Sequence, residues 1–395
     1  MNKKLLVIGA GIAQVDGIKK AKDIGYTVYA TDASPYAPGF SIADYYKVID
    51  VYDTEKSLEW AKTIRIDGVT SYATDVALQT VLKIRQALNL PGLNSEPVRI
   101  SLNKELQRKV CYDASIAQPE FVAVSEFSEL KEMVKNIGFP LVLKPTDNSG
   151  SRGISLIKDM DGLEDAFDFA ISNSTSGRVI AEQYIEGTEL SIESISINHK
   201  HHILAIGKRF KPDHPFSVAS QIVYTENIDN KTKKKITILI NNLHDAVGVD
   251  NSPTHTEIIL TKEGPKFLEI GCRGGGFFIF TQIVQAVSGY DIVGNWTKFC
   301  MGDPIDVPCN IQEKGAVLRY FVATPGKLLR VEGLEKALMD KDVICGGLFI
   351  KPGELVPKLR DDGSRTGWII TRGENNKEAL KSADIVNKIV KFHNQ

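Results

Sequence analysis

Two short apolar runs, Phe139 to Leu143 and Ile154 to Ile157, are joined by Lys144-Pro145-Thr146-Asp147-Asn148-Ser149-Gly150-Ser151-Arg152-Gly153. The pattern predicts strand, flexible loop, strand. Gly150 and Gly153 let the backbone turn tightly and bring its N–H groups near an anion. Ser149, Ser151 and Arg152 add donors, and Lys144 supplies a point charge at the loop's base. One reading is a cover over bound phosphate. The other is an ordinary Gly/Ser hairpin loop.

A chain of 395 residues has room for two to four domains with a sizeable core. The formal net charge of -1 argues against general binding to nucleic acid or an anionic membrane. Five cysteines, Cys111, Cys272, Cys300, Cys309 and Cys345, are odd in number and make no C-x-x-C pair. Reduced thiols in a cytoplasmic protein are therefore expected, not a disulfide framework or a zinc site. No apolar stretch has membrane-spanning length, and no leader cleavage site follows the first residues.

Residues 1–95 alternate strand and helix patterns. Leu5 to Ile8 reads as a buried strand, Gly9-Ala10-Gly11 as a turn, Ile12 to Ile24 as a helix and Thr27 to Thr31 as a second strand, with Asp32 at its end. That is a Rossmann-like unit. At face value it offers a dinucleotide site with Asp32 on a ribose, but Gln14 stands where the third glycine of G-x-G-x-x-G belongs. Further strands are predicted at Tyr46 to Ile49 and Gly68 to Ser71, and a helix from Asp75 to Leu88.

A Lys- and Arg-rich helix from about Pro97 to Ala114 carries Lys104, and helices are expected at 129–136 and 163–171. The stretch Arg178 to Ser191 runs from apolar strand into alternating acids, with Glu182, Glu186 and Glu189. Its free backbone edge suits an adenine, with a nearby acid for ribose hydroxyls; a charged edge strand that discourages aggregation is the alternative.

Thr256 to Thr261 and Pro265 to Ile270 are predicted strands, joined by Lys262-Glu263-Gly264 as a three-residue hairpin loop. Centring that hairpin on Glu263 sets Glu257 opposite Glu269 and His255 opposite Gly271, with Arg273 on the same face. Carboxylates facing across a ladder repel, and a cation between them removes the repulsion. Hard oxygen ligands suit Mg²⁺ completed by substrate phosphates; an exposed, hydrated pair is the other reading. Arg273 would there meet developing phosphoryl charge.

In this order, these motifs resemble the ATP-grasp superfamily from about residue 97 to 310, and the whole layout is similar to its carboxylate–amine ligases, the dipeptide-forming L-amino-acid ligases above all. The resemblance implies an α/β protein: a Rossmann-like preceding domain over 1–95, an ATP-grasp domain of two α+β subdomains over 96–310 with a mobile lid at about 115–187, and a small α+β domain over 311–395 that completes the substrate pocket. It implies ATP and Mg²⁺ (Mn²⁺ as a substitute) as cofactors and an acyl-phosphate intermediate. Lys104 and Lys144 would bind ATP phosphates under the loop Asp147 to Gly153, with Ser149, Gly150, Ser151, Arg152 and Gly153 against them. Glu182 would meet the adenine amino group, Gln183 and Ile185 would give backbone contacts, and Glu189 would hold the ribose. Glu257 and Glu269 would carry Mg²⁺, and Arg273, with Lys144, would serve catalysis. The family's Glu-x-Asn metal pattern is here Glu269-Ile270-Gly271, without the amide ligand of a second magnesium.

Expected partners are a small-molecule carboxylate and amine, with no nucleic acid or membrane and with a homodimer as the candidate assembly. Strands are predicted at 316–322 and 343–349 and a helix at 377–393. Asn198 to His202 reads as a polar turn or a metal site, Lys231 to Lys235 as a solvated helix start, and Lys208-Arg209 as reaching phosphates or a substrate carboxylate. The activity expected is an ADP-forming ligation in which a carboxylate, activated as an acyl phosphate, is joined to an amine that is itself an amino acid. Its rivals are bicarbonate activation as in biotin carboxylase or carbamoyl-phosphate synthase, NAD-dependent oxidoreduction and nucleotide sensing without turnover.

Overall fold

Lys4–Ile8 (β1) is apolar after its first residue and buried from Leu5 on, as a strand covered on both faces of a parallel sheet must be. It pairs in parallel with Thr27–Asp32 (β2) and Gly68–Thr70 (β4), and Tyr45–Val48 (β3) adds the exposed edge, in the order β3-β2-β1-β4. The structure is a computed structural model and describes residues 2–211, 218–225 and 227–395. The first helix opens with a 3-10 turn, Ile12–Gln14, and runs as Val15–Ile24 to a left-handed Gly25. The helix predicted from Asp75 starts at Leu78, which leaves Asp75 in the loop beyond β4.

The helix predicted over 97–114 is two helices, Ser95–Ser101 and Lys104–Asp113. The break is at Asn103, whose side chain accepts the Leu106 N–H and caps the second helix. Lys104 thereby stands in a first turn and not mid-helix.

Phe121–Val124 (β5), Leu141–Pro145 (β6), Ser155–Ile157 (β7) and Val179–Gln183 (β8) form an antiparallel sheet ordered β5-β8-β6-β7. Helices Phe127–Ile137 and Leu163–Ser172 bury Leu130, Val134, Leu163 and Phe167 against it, in a core separate from the main one. The loop Asp147 to Gly153 connects β6 to β7, as expected.

The main sheet has eight strands. Thr188–Ile197 (β9), Lys200–Phe210 (β10), Gln221–Tyr224 (β11), Ser252–Leu260 (β12), Pro265–Gly271 (β13) and Gly315–Phe321 (β14) are followed by Gly326–Glu332 (β15), Val343–Leu348 (β16), Leu355–Val356 (β17), Gly367–Gly373 (β18) and Lys391–Asn394 (β19). The order is β13-β12-β9-β10-β11-β14-β18-β16, so one sheet runs across residue 310. The remaining strands make a small sheet, β17-β15-β19. Helix Asn230–Val247 packs Ile236, Ile240, Leu243 and Val247 into the main core at helical spacing, capped by Asp229 at one end and Gly248 at the other. The helix predicted to His393 ends at Ile389, because the chain turns extended to bury Phe392 against Phe321. Asn198 and His199, both left-handed, form the two-residue turn between β9 and β10. No group of three His, Cys, Asp or Glu side chains able to hold a metal occurs among the described residues.

Candidate active site

Where the three sheets approach one another lies a cleft of about 790 Å³. Every site residue expected from the sequence lines it except Gly153. Gly153, at φ +74°, packs instead on Pro145 and Asn173, where an added Cβ would come within 2.8 Å of either side chain. It shapes the loop and does not face the cleft.

The β12–β13 hairpin sets Glu257 opposite Glu269 and His255 opposite Gly271, the register expected, though by another route. Leu260 pairs with Pro265, so the loop has four residues, closed by Thr261 N–H donating to the Gly264 carbonyl. A bulge between Glu257 and Ile258 then restores the offset. Leu268 is the residue left over, and its carbonyl accepts from Arg108 Nη2 at 2.6 Å.

Neither facing carboxylate lacks a counter-charge. Lys104 Nζ lies 2.9 Å from Glu269 Oε1 and also donates to the Asn148 carbonyl at 2.6 Å, which ties the loop's base to the hairpin. Glu257 is paired with Arg209 and stands 3.5 Å from His255 Nε2. Burial would raise the Glu257 carboxyl, but Arg209 and His255 together hold it well below the usual carboxylate range. His255 Nδ1 is 2.7 Å from the buried Glu193 carboxylate. Burial alone would lower the imidazole; Glu193 pushes it up to about 9.

Glu182 is 3% exposed, and both its oxygens are taken: Arg108 Nε at 2.9 Å and Lys144 Nζ at 2.8 Å. Burial opposes its charge, yet the two cations hold the carboxyl at about 2. The Lys144 ammonium is lowered by burial, against the pull of Glu182. Glu182 thus lines the cleft with its two oxygens paired to Arg108 and Lys144. Beyond it along the chain, Gln183 N–H donates to the Glu120 carbonyl and Tyr184 N–H to the Pro140 carbonyl. Glu189, further along, is paired with Lys211.

Arg273 Nε and Nη2 donate to the two oxygens of Asp75 at 2.9 and 2.7 Å, and Nη1 donates to the Gly274 carbonyl at 3.1 Å. Burial opposes both charges, and each partner reinforces the other: Asp75 is lowered and Arg273 raised. These contacts engage three of the five guanidinium protons. Gly271 leaves room for this arm, since a Cβ there would lie 3.3 Å from Arg273 Cζ.

Sequence reasoning missed Asp75 and Arg108. Asp75 had one usable signal, its place beyond the carboxyl end of a parallel strand, where α/β sheets bind ligands. Arg108 had none, being one more basic residue in a basic helix. Arg209 of the Lys208-Arg209 pair reaches the cleft, whereas Lys208 lies over the Phe210 ring at 4.9 Å.

The loop itself is pinned at its base and open at its tip. Asp147 accepts from Ser174 Oγ and Ser176 N–H, and Asn148 Nδ2 donates to the Asn173 carbonyl. An added Cβ on Gly150 would meet nothing within 4 Å. By contrast, the N-terminal turn is closed. Gln14 is 7% exposed and donates to the Tyr72 carbonyl at 2.8 Å, its side chain lying against Gly9 and Gly11. Asp32 accepts from Ala10 N–H and Ser34 N–H, which ties the turn together where a ribose was the alternative.

This geometry has counterparts. Residues 137–281 match the ATP-grasp domain, so the chain carries an ATP-grasp domain. Residues 319–395 match L-amino acid ligase C-terminal domain 2. Uncharacterized protein y4rH of Sinorhizobium fredii is 27% identical over 317 residues, 78% of this chain and 64% of that protein, so this chain spans under two thirds of its length. Formate-dependent phosphoribosylglycinamide formyltransferase of Bacillus velezensis is 25% identical over 96% of both chains. The crystal structure of L-amino acid ligase from Bacillus licheniformis superposes with a TM-score of 0.88 at 22% identity, covering 100% of this chain and 99% of that one, which shows the shared fold.

Proposed function

We propose that the protein uses ATP to activate the carboxylate of a small molecule, an amino acid, as an acyl phosphate and passes the acyl group to an amine, releasing ADP and phosphate. The observation that carries this reading is the convergence of Lys104, Lys144 and Arg273 with the Glu257–Glu269 pair in one cleft beneath a glycine-bearing loop. A substrate carboxylate oxygen attacks the γ-phosphorus, and the β–γ bridging bond breaks to release ADP. The amine then attacks the acyl carbon, and phosphate leaves as the amine proton is lost. Positioning and charge neutralisation carry most of phosphoryl transfer, which is what these side chains offer.

The facing carboxylates fit Mg²⁺ as a hard cation that keeps sites for phosphate oxygens. When bound, it would neutralise phosphate charge between Glu257 and Glu269; Mn²⁺ is the substitute to test. Lys104 pairs with Glu269 and Arg209 with Glu257. On this reading Gln183 to Ile185 form the adenine edge through the Gln183 carbonyl and the Ile185 N–H, because the Gln183 N–H is already committed. Glu189 takes the ribose, and Ser149 to Arg152 cover the phosphates. The sheet β5–β8, with its own core, is the lid that shields an acyl phosphate from water.

No helix among the described residues is long and apolar enough to cross a membrane. A screen of amino acids, singly and in pairs, for ATP-dependent phosphate release tests the proposal. Release that needs both a carboxylate and an amine supports it, and release with bicarbonate alone favours the carboxylase-like alternative.

A further inference from the structure

Arg273 opens a segment, Arg273-Gly274-Gly275-Gly276-Phe277-Phe278, that leads into a π-helical turn, Ile279–Ile283. Gly276, Phe277 and Ile279 line the cleft beside Arg273. The segment has no slack: a Cβ on Gly274 would lie 1.9 Å from the Phe280 ring, and one on Gly275 would lie 2.9 Å from Glu193 Oε2. It also folds back on itself, as Phe280 N–H donates to the Gly275 carbonyl and Ile279 N–H to the Gly276 carbonyl, both at 3.1 Å.

Its backbone is strained. Phe277 and Phe278 are consecutive aromatic residues at φ +50° and +65°, a region bulky side chains rarely occupy. Strain of this kind persists only where the surroundings over-determine it. Aromatic contacts supply part of that hold: Phe278 stacks on Trp368 at 4.8 Å, and Phe277 meets Tyr320 edge-on at 5.5 Å. Asp16 adds a polar one. It stands in the first turn of the helix Val15–Ile24, and its Oδ2 accepts from Thr281 Oγ1 at 2.9 Å and from Gln282 Nε2 at 2.7 Å. The N-terminal unit therefore grips this stretch twice, through Asp75 on Arg273 and through Asp16 on Thr281 and Gln282.

We infer that Asp16 is a positioning residue for the reaction: its grip on the π-helical turn keeps the strained segment in place and so sets Arg273 from the end opposite Asp75. This rests on the ligase reading above and assigns a further residue to it. Asp16 is not among the residues that line the cleft, and it acts through the backbone of residues 274–280. A small misplacement of Arg273 is costly, because a charge-stabilising donor must be aimed before the charge develops. One oxygen of Asp16 accepts both bonds, so the carbonyl oxygen of an asparagine can take its place and an alanine cannot.

The test measures hydroxamate formation from ATP, hydroxylamine and whichever amino acid gives product. D16A should lower kcat about tenfold or more, while the KM for ATP stays within about twofold because Lys104 and Lys144 are untouched. D16N should keep most of the wild-type kcat. T281V/Q282M, which removes the same two bonds from the other side, should match D16A. Trp368, stacked on Phe278, reads the segment without turnover. In a W60F/W296F background it is the one remaining tryptophan, and there D16A should make it more accessible to quenching by acrylamide. A wild-type kcat in D16A, a loss in D16N as large as in D16A, a KM for ATP that rises in proportion to the loss of kcat, or a lower Tm with Trp368 quenching unchanged would each overturn the assignment. If D16A does not fold, T281V/Q282M decides it on the same criteria. Failure of the wild type to give any hydroxamate would instead contradict the ligase reading, and the Trp368 signal would still report whether Asp16 holds the segment.

Discussion

The turn Gly9-Ala10-Gly11 and the loop Asp147 to Gly153 both follow a buried strand, and in both glycine lets backbone approach a ligand. In the first, Gln14 occupies the space beside the glycines and Asp32 bonds the turn to itself. In the second, the base is pinned through Lys104, Asp147 and Asn148 while the tip stays open over Lys144 and the Glu257–Glu269 pair. A glycine pattern therefore says where backbone is able to approach a ligand; the side chains around it say whether anything fits. Charge separates the two regions further, since buried cations gather only around the second.

The largest effect should come from the ion cluster under the open loop. Glu182→Gln leaves Arg108 and Lys144 buried and short of a counter-charge, and should cost roughly 3–5 kcal/mol in urea unfolding. The wild-type contribution is complete above the ordinary carboxylate pKa of 4.5 and is lost as pH falls through about 2. Asp32→Asn, in the closed turn, should cost far less. A Glu182→Gln chain as stable as wild type would remove the distinction drawn between the two regions.

His255 gives the opposite pH dependence. Its folded pKa is raised from 6.5 to about 9, so its contribution is fully present below 6.5 and declines as pH rises through about 9. In metal-free buffer that decline is on the order of 3 kcal/mol at most, and His255→Gln should flatten it. Chemical unfolding at several pH values reads it directly; an unchanged slope in the variant would place the titration elsewhere.

Arg273→Gln should lower kcat by on the order of a hundredfold, with nucleotide affinity little altered, because the guanidinium acts where charge develops. Gln14→Ala, which reopens the N-terminal turn, should leave turnover intact and confer no NAD binding. If the second variant is the damaging one, the site belongs at the first turn.

The smallest change sharpens the link between the first sheet and the cleft. Asp75→Asn should lower kcat about tenfold while the KM for ATP stays put, and Asp75→Glu should restore part of it. In combination with Arg273→Gln the loss should not add, because Asp75 acts through that guanidinium.

Much of the fold was legible because its strands are short, apolar and punctuated by glycine, and because hairpin register is a matter of counting. The Glu257–Glu269 pairing shows the limit of counting: the expected three-residue loop is a four-residue loop corrected by a bulge, and nothing local marks Leu268 as the residue left out. Residues that announce themselves by type and spacing, Lys104, Lys144 and Arg273 among them, line one cleft. Partners do not announce themselves. Asp75 stands 198 positions from Arg273 and Arg108 stands 74 from Glu182, and such pairings exist only once the sheets are assembled. The pairing of Glu182 with Arg108 and Lys144 likewise cannot be seen along the chain.

The central claim is that this cleft transfers the γ-phosphoryl group to a carboxylate. Incubating the protein with ATP, Mg²⁺, an amino acid and hydroxylamine, and separating the nucleotides by chromatography, tests it most directly. The account requires ADP, phosphate and an amino-acid hydroxamate in step with one another. AMP with pyrophosphate would contradict it outright, and bicarbonate-dependent ADP without hydroxamate would transfer the chain to the bicarbonate-activating enzymes.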